Sequence, residues 1–143
     1  MARNRFDYTF DSDLELKDSS AAITSSAAAL VDTVARQIDL GPGRVDGVIV
    51  LDVTAVDVAA GDEATVIAQV SSVDGFGSLY FNAGCLIFGD VTLNGQALDS
   101  VVGHYELHFT NEVNGTVYRY LRLYTLIAAS GSLTYTGYLA KAK

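Results

Sequence analysis

The residues best suited to chemistry are His104, Glu106 and His108. In a β-strand, positions i, i+2 and i+4 share one face, so the three would point the same way. Two imidazoles and a carboxylate form a donor set that takes a divalent metal. Spacing argues against it: alternate same-face residues lie roughly 7 Å apart, whereas metal ligands sit roughly 2 Å from a shared ion. The three therefore read as the wet face of a strand whose buried face is Tyr105, Leu107 and Phe109. Other motifs carry less. Gly41-Pro42-Gly43 followed by Gly47 lacks the spacing and the strand-to-helix setting of a dinucleotide loop, and reads as a turn. Asp74-Gly75-Phe76-Gly77 has loop composition and none of the accompanying kinase elements. Asn114-Gly115-Thr116 matches a glycosylation sequon but sits in a tight turn. Asp39, Asp46, Asp52 and Asp57 are scattered and read as strand edges and solvent-facing ends. No Ser or Cys has a neighbouring His in a nucleophile motif. No catalytic residue, metal ligand or cofactor is expected.

Composition bounds the scaffold. A chain of 143 residues falls in the single-domain range. Half of its residues are apolar and 18% are charged, which excludes a disordered chain. Nine Lys and Arg against 17 Asp and Glu leave a net charge of -8, which argues against nucleic acid as a partner. The opening MARNRFDYTF has no apolar stretch of the roughly 7–15 residues in a signal peptide. No run approaches the ~18 apolar residues of a membrane span. The expectation is a soluble protein made in a reducing cytoplasm, with no membrane partner. Cys85 is the single cysteine, so no intrachain disulfide can form; among Ala83, Leu86, Ile87 and Phe88 it reads as a small buried hydrophobe.

Period-two patterning dominates from residue 47 onward. Gly47 to Val58 is dense in β-branched residues and ends at the turn of residues 59 to 62. Ala64 to Ser71 puts Val66, Ala68 and Val70 on one face, with Thr65, Ile67, Gln69 and Ser71 on the other. Ser72 to Ser78 reads as a loop; Leu79 to Phe81 and Cys85 to Phe88 read as short runs split by Asn82-Ala83-Gly84. The pairs Asn94-Gly95 and Asn114-Gly115 tolerate the positive φ of a type I′ hairpin turn. Thr116 to Ile127 is the longest strand candidate, with Val117, Leu121, Leu123 and Ile127 opposing Tyr118, Tyr120, Arg122 and Tyr124. A last strand follows Ser130-Gly131-Ser132, from Leu133 to Ala140. The fold expected is all-β, an antiparallel jelly roll or β-sandwich of about eight strands.

Two segments depart from that pattern. Ala27, Leu30, Val31, Val34 and Ile38 follow helical spacing, with Ser26 as an N-cap and Gly41 just past the end, so residues 27 to 38 are predicted helical. Residues 1 to 26 are polar and rich in Ser, Ala and Asp, which suits an N-terminal arm or edge strand; residues 27 to 143 form the sandwich domain. The stretch from Tyr118 to Tyr124, with Arg119 and Arg122 interspersed, carries the residue types enriched where proteins meet proteins.

Several stretches together resemble a known family. They are Asp11-Ser12-Asp13-Leu14 with Lys17 to Thr24, Ile38-Asp39-Leu40-Gly41, Tyr118-Arg119-Tyr120-Leu121-Arg122-Leu123-Tyr124, Ser130-Gly131-Ser132-Leu133-Thr134 and Gly137-Tyr138-Leu139-Ala140. In order and spacing the chain resembles the capsid cement (decoration) proteins of tailed bacteriophages, of the Bordetella-phage type. The resemblance covers the two ends of the chain; residues 44 to 112 agree only in β character. It implies a small jelly-roll subunit that trimerises on the outside of the virion capsid and bridges copies of the major capsid protein. Subunit or shell contacts are then expected at Phe6, Tyr8, Phe10, Leu14, Tyr118, Tyr120, Arg122 and Tyr124, with Asp39 supporting them. Two other readings compete. One is a sugar-binding or tail/baseplate sandwich using Tyr80-Phe81 or Tyr118-Tyr120; the other is a cupin-like metalloprotein using His104, Glu106 and His108.

Overall fold

The computed structural model describes residues 8–9, 12–18, 21–31, 34–58, 62–77, 79–89, 101–128 and 130–142. The N-terminal part contains β1 (Tyr8–Thr9), a 3-10 turn at Ser12–Leu14 and β2 (Glu15–Lys17). Four two-residue strands follow: β3 (Ala27–Ala28), β4 (Leu30–Val31), β5 (Val34–Ala35) and β6 (Ile38–Asp39). The long strands are β7 (Asp46–Asp57), β8 (Glu63–Ser71), β9 (Phe81–Gly89) and β10 (Gly103–Thr110). After the hairpin of β11 (Glu112–Val113) and β12 (Thr116–Val117) come β13 (Tyr120–Ala128), β14 (Ser132–Leu139) and β15 (Lys141–Ala142). No α-helix occurs among the described residues, and every pairing is antiparallel.

Two sheets make the body. The first runs β10-β7-β14-β2; the second runs β3-β13-β8-β9, with β6 also pairing β13. Alternation is cleanest in β14, where Leu133, Tyr135, Gly137 and Leu139 are buried and the residues between them half-buried. Ile49, Leu51 and Val53 of β7 join these from the first sheet; Val66, Ala68, Val70, Leu121 and Leu123 face them from the second. The shared core is consistent with a β-sandwich. Tyr135 crosses it, its hydroxyl 2.7 Å from Thr125 Oγ1 of the opposite sheet. Burial raises the Tyr135 pKa, so the phenol stays protonated and keeps that bond.

Among its described residues the segment 27–38 is not helical. It runs along the free edge of β13: Ala27 and Ala28 pair with Thr125 and Tyr124, and the Ala29 N–H donates to Leu123 O at 2.9 Å. The chain then leaves as the β4–β5 hairpin, returns where the Arg36 N–H donates to Ala29 O (3.3 Å), and rejoins β13 through Ile38 and Asp39. Only Ala29 and Ile38 enter the core, while Leu30 and Val34 are exposed, so the helical spacing marks no buried stripe. Ser26 does cap something, though not a helix: its Oγ accepts the Ile127 N–H at 2.9 Å.

Three further expectations change. The runs 79–81 and 85–88 belong in part to one strand, β9, which a bulge opposite Ala68 and Gln69 lets continue through Gly84. The strand expected over 116–127 is broken at Tyr118 and Arg119, because the Tyr118 N–H is taken by Asn111 O (2.8 Å) and the Leu40 N–H by Arg119 O (2.7 Å). Cys85 is exposed rather than buried: in β9, Leu86 and Phe88 turn inward, so Cys85 and Ile87 lie on the outer face of an edge strand. The Asn114-Gly115 turn forms as expected, with φ of 56° and 80° between paired β11 and β12. Asn94-Gly95 lies outside the described residues.

The N-terminal segment contributes β2 to the first sheet, while β1 pairs separately with β15. β2 pairs with β14, Leu16 is fully buried, and Ile23 bridges Leu133. At another corner β9 passes so close to β10 that a Cβ on Gly84 would sit 2.5 Å from the His108 carbonyl oxygen. Gly84→Ala is expected to lose about 2 kcal/mol in urea unfolding. Gly43→Ala, with nothing within 4 Å of its Cβ, should stay within about 0.5 kcal/mol of wild type. Equal losses would mean the close approach is absent.

Candidate contact surface

Period two puts Tyr120, Arg122 and Tyr124 of β13 on the outer face of the second sheet, opposite Ser71, Gln69 and Ile67 of β8. Both faces of β8 are buried, because the loop after it folds back over the sheet. That loop turns through three consecutive residues with positive φ, Gly75 (83°), Phe76 (65°) and Gly77 (52°). A non-glycine residue in this region is strained by about 1 kcal/mol, and burial of the Phe76 ring offsets it. The Phe76 N–H donates to Val73 O, the Leu79 N–H to Phe76 O, and the Gly75 N–H to Gln37 Oε1. Gln37 also donates to Asp74.

Phe76 is held against Arg122. The guanidinium carbon lies 4.3 Å from the Phe76 ring centroid, 5.1 Å from that of Tyr80 and 5.8 Å from that of Tyr124. Arg122 Nε donates to Gln69 Oε1 at 2.9 Å, and Gln69 Nε2 donates to Asn82 Oδ1 at 3.2 Å. No carboxylate among the described residues pairs with this guanidinium. Burial lowers its pKa, with the fields of Tyr80 and Tyr124 opposing. The result is an oriented cation, framed by aromatic rings, with N–H donors that no acceptor among the described residues takes. On the same outer face Ile87 and Leu126 present large apolar side chains to solvent, and Leu79, beside Tyr80, is 64% exposed.

Beside this face, Arg119 grips Asp39 with two bonds, Nε to Oδ1 at 2.7 Å and Nη2 to Oδ2 at 2.8 Å. The Arg119 bond, helped by the Gly41 N–H, holds the Asp39 carboxyl below its usual range. The pair fastens β6 to the start of β13.

The expected contact residues do not all gather. Tyr120, Arg122 and Tyr124 share one face; Tyr118, beyond the strand break, turns away and packs on Phe81 with centroids 5.2 Å apart. Leu14 is half-buried against the chain's own core. Tyr8 lies in β1, whose backbone pairs with β15; Phe6 and Phe10 lie outside the described residues. Sequence reasoning missed Phe76 as a site residue, for which the doubled glycine around it was the signal available, and it had Tyr80 only in the competing sugar-binding reading.

His104, Glu106 and His108 do share the outer face of β10, with Leu107 and Phe109 buried behind them. They form separate pairs rather than one cluster: His104 Nδ1 to Asp52 Oδ1 at 3.6 Å, and His108 Nε2 to Glu106 Oε2 at 3.5 Å. Among the described residues no three metal-binding groups converge. Compared with family models, curated proteins and solved structures, the chain matches none.

Proposed function

We propose that this chain is a capsid cement subunit, trimerising on the outer surface of a tailed-phage head and bridging neighbouring major capsid proteins. The observation that carries the reading is Arg122, a cation without a carboxylate partner among the described residues, caged by Phe76, Tyr80 and Tyr124 amid exposed apolar side chains. Buried-rim Arg and Tyr groups of this kind are where protein interfaces concentrate their energy. On a chain of net charge -8, an incoming acidic segment from another subunit is the natural complement.

The family resemblance gains support from pairing. Ile38-Asp39 lies against Tyr120-Leu121, Ile23 bridges Leu133, and Glu15–Lys17 pairs with Gly137-Tyr138. The scattered stretches that carry the resemblance are thus neighbours in space. Strand order supports the finer reading of a jelly roll. With β3 and β6 counted as one edge strand, eight strands divide as first, eighth, third and sixth in one sheet and second, seventh, fourth and fifth in the other.

The test combines light scattering of purified protein with mass spectrometry of virions and occupancy on undecorated heads. Wild type is expected as a trimer that decorates heads. Arg122→Ala should weaken assembly or decoration by about 2 kcal/mol, roughly 30-fold, while Arg44→Ala, in an exposed ion pair elsewhere, stays at wild-type occupancy. A monomeric protein missing from virions would overturn the reading. The exposure of Tyr80 and Phe81 favours one alternative, a sugar-stacking tail module, for which a glycan array would give a hit.

A further inference from the structure

Lys17 is only 3% exposed. Its Nζ donates to Asp18 O at 2.8 Å and to Tyr135 O at 2.9 Å, and lies 4.8 Å from the Tyr135 ring centroid. An ammonium has three donors, so one is left without a described acceptor. Burial lowers the Lys17 pKa and the neighbouring Asp18 charge partly restores it. Keeping such a cation away from water is costly unless an anion accompanies it.

Lys17 lines a half-open cavity of about 210 Å³, most of whose other lining residues are exposed. Its other walls come from the segment 21–30, which crosses from the first sheet at Ile23 to the second at Ala27. They are predominantly apolar, with Ala22, Ala28, Ile23 and Leu30 among them and Thr24 as a polar neighbour. Roughly 150 Å³ of apolar space suffices to bind benzene, so this volume holds about eight heavy atoms. We propose that the cavity binds a short aliphatic carboxylate, the carboxylate accepting the remaining Lys17 N–H and the alkyl chain lying along the alanine, Ile23 and Leu30 walls. A phosphate fits less well, because a single ammonium donor amid alkyl groups leaves most of its oxygens unbonded. Occupancy would clamp the 21–30 crossing to β2 and so couple the two sheets. The site borders the Arg122 face at Ala28, which pairs with Tyr124, but it rests on Lys17 and stands whether or not that face binds a partner.

The probe is hexanoate, with hexanol as the uncharged control and acetate as the tail-less one, read by thermal unfolding of the whole chain. Hexanoate is expected to raise the melting temperature saturably, by about 9 °C at a hundredfold excess over Kd. Hexanol and acetate should produce less than a third of that shift. Lys17→Met, of similar length and without charge, should abolish the hexanoate response. Should that variant fail to fold, Ala22→Phe, at an exposed wall position, fills the cavity and should abolish it equally. No hexanoate shift in wild type, a matching shift with hexanol, or an unchanged response in either variant would overturn the proposal.

Discussion

Replacing Asn111 with Ala is expected to lower stability by about 3 kcal/mol. Asn111 is fully buried. Its Oδ1 accepts the Val45 N–H at 2.7 Å, and its Nδ2 donates to Gly43 O at 3.1 Å and to Tyr118 O at 2.8 Å. Its own backbone binds Val45 O and the Tyr118 N–H, so one residue ties the turn before β7 to the stretch before β13. Alanine leaves three backbone groups without partners, at about 1–3 kcal/mol each before water relieves part of the loss. Asn111→Asp should do worse at neutral pH, since a carboxylate would face two carbonyl oxygens. Its deficit should shrink as the pH falls and the protonated acid regains a donor. Urea unfolding at two pH values checks both. An Asn111→Ala loss below about 1 kcal/mol would mean the two stretches are held by something else.

Leu16→Ala should cost a comparable amount, about 3 kcal/mol, because it opens a cavity in the core rather than at an arm. Leu16 is fully buried among the core side chains although it sits in the polar first 26 residues of the chain. Leu14→Ala, at a half-buried position, is the graded control and should lose about half as much. Thermal unfolding of both variants decides the matter. A Leu16→Ala protein as stable as wild type would mean that β2 rests on the sheet without contributing to it.

Where structure follows from side-chain period, the sequence was readable. β7, β8 and β14 fall close to their expected spans, Asn114-Gly115 turns as its chemistry demands, and alternation groups Tyr120, Arg122 and Tyr124. What was hidden depends on partners distant along the chain. Residues 27–28 and 38–39 are strand because β13, some 80 to 100 residues later, offers an edge of unsatisfied backbone groups. Tyr118 leaves the face because Asn111 claims its N–H and carbonyl. Cys85 is outside because β9 is an edge strand, and Phe76 is inside because its loop folds back over β8. The candidate surface was thus half visible: its strand contribution showed in the period, its loop contribution did not.

The hairpin that departs from the β13 edge between Ala29 and Arg36 and returns to it uncouples length from register. Extra residues inserted there would change the length of the hairpin while the flanking pairs, Ala28 with Tyr124 and Ile38 with Leu121, kept their places. The molecule therefore carries a ready position for grafting a foreign peptide without disturbing the scaffold beneath.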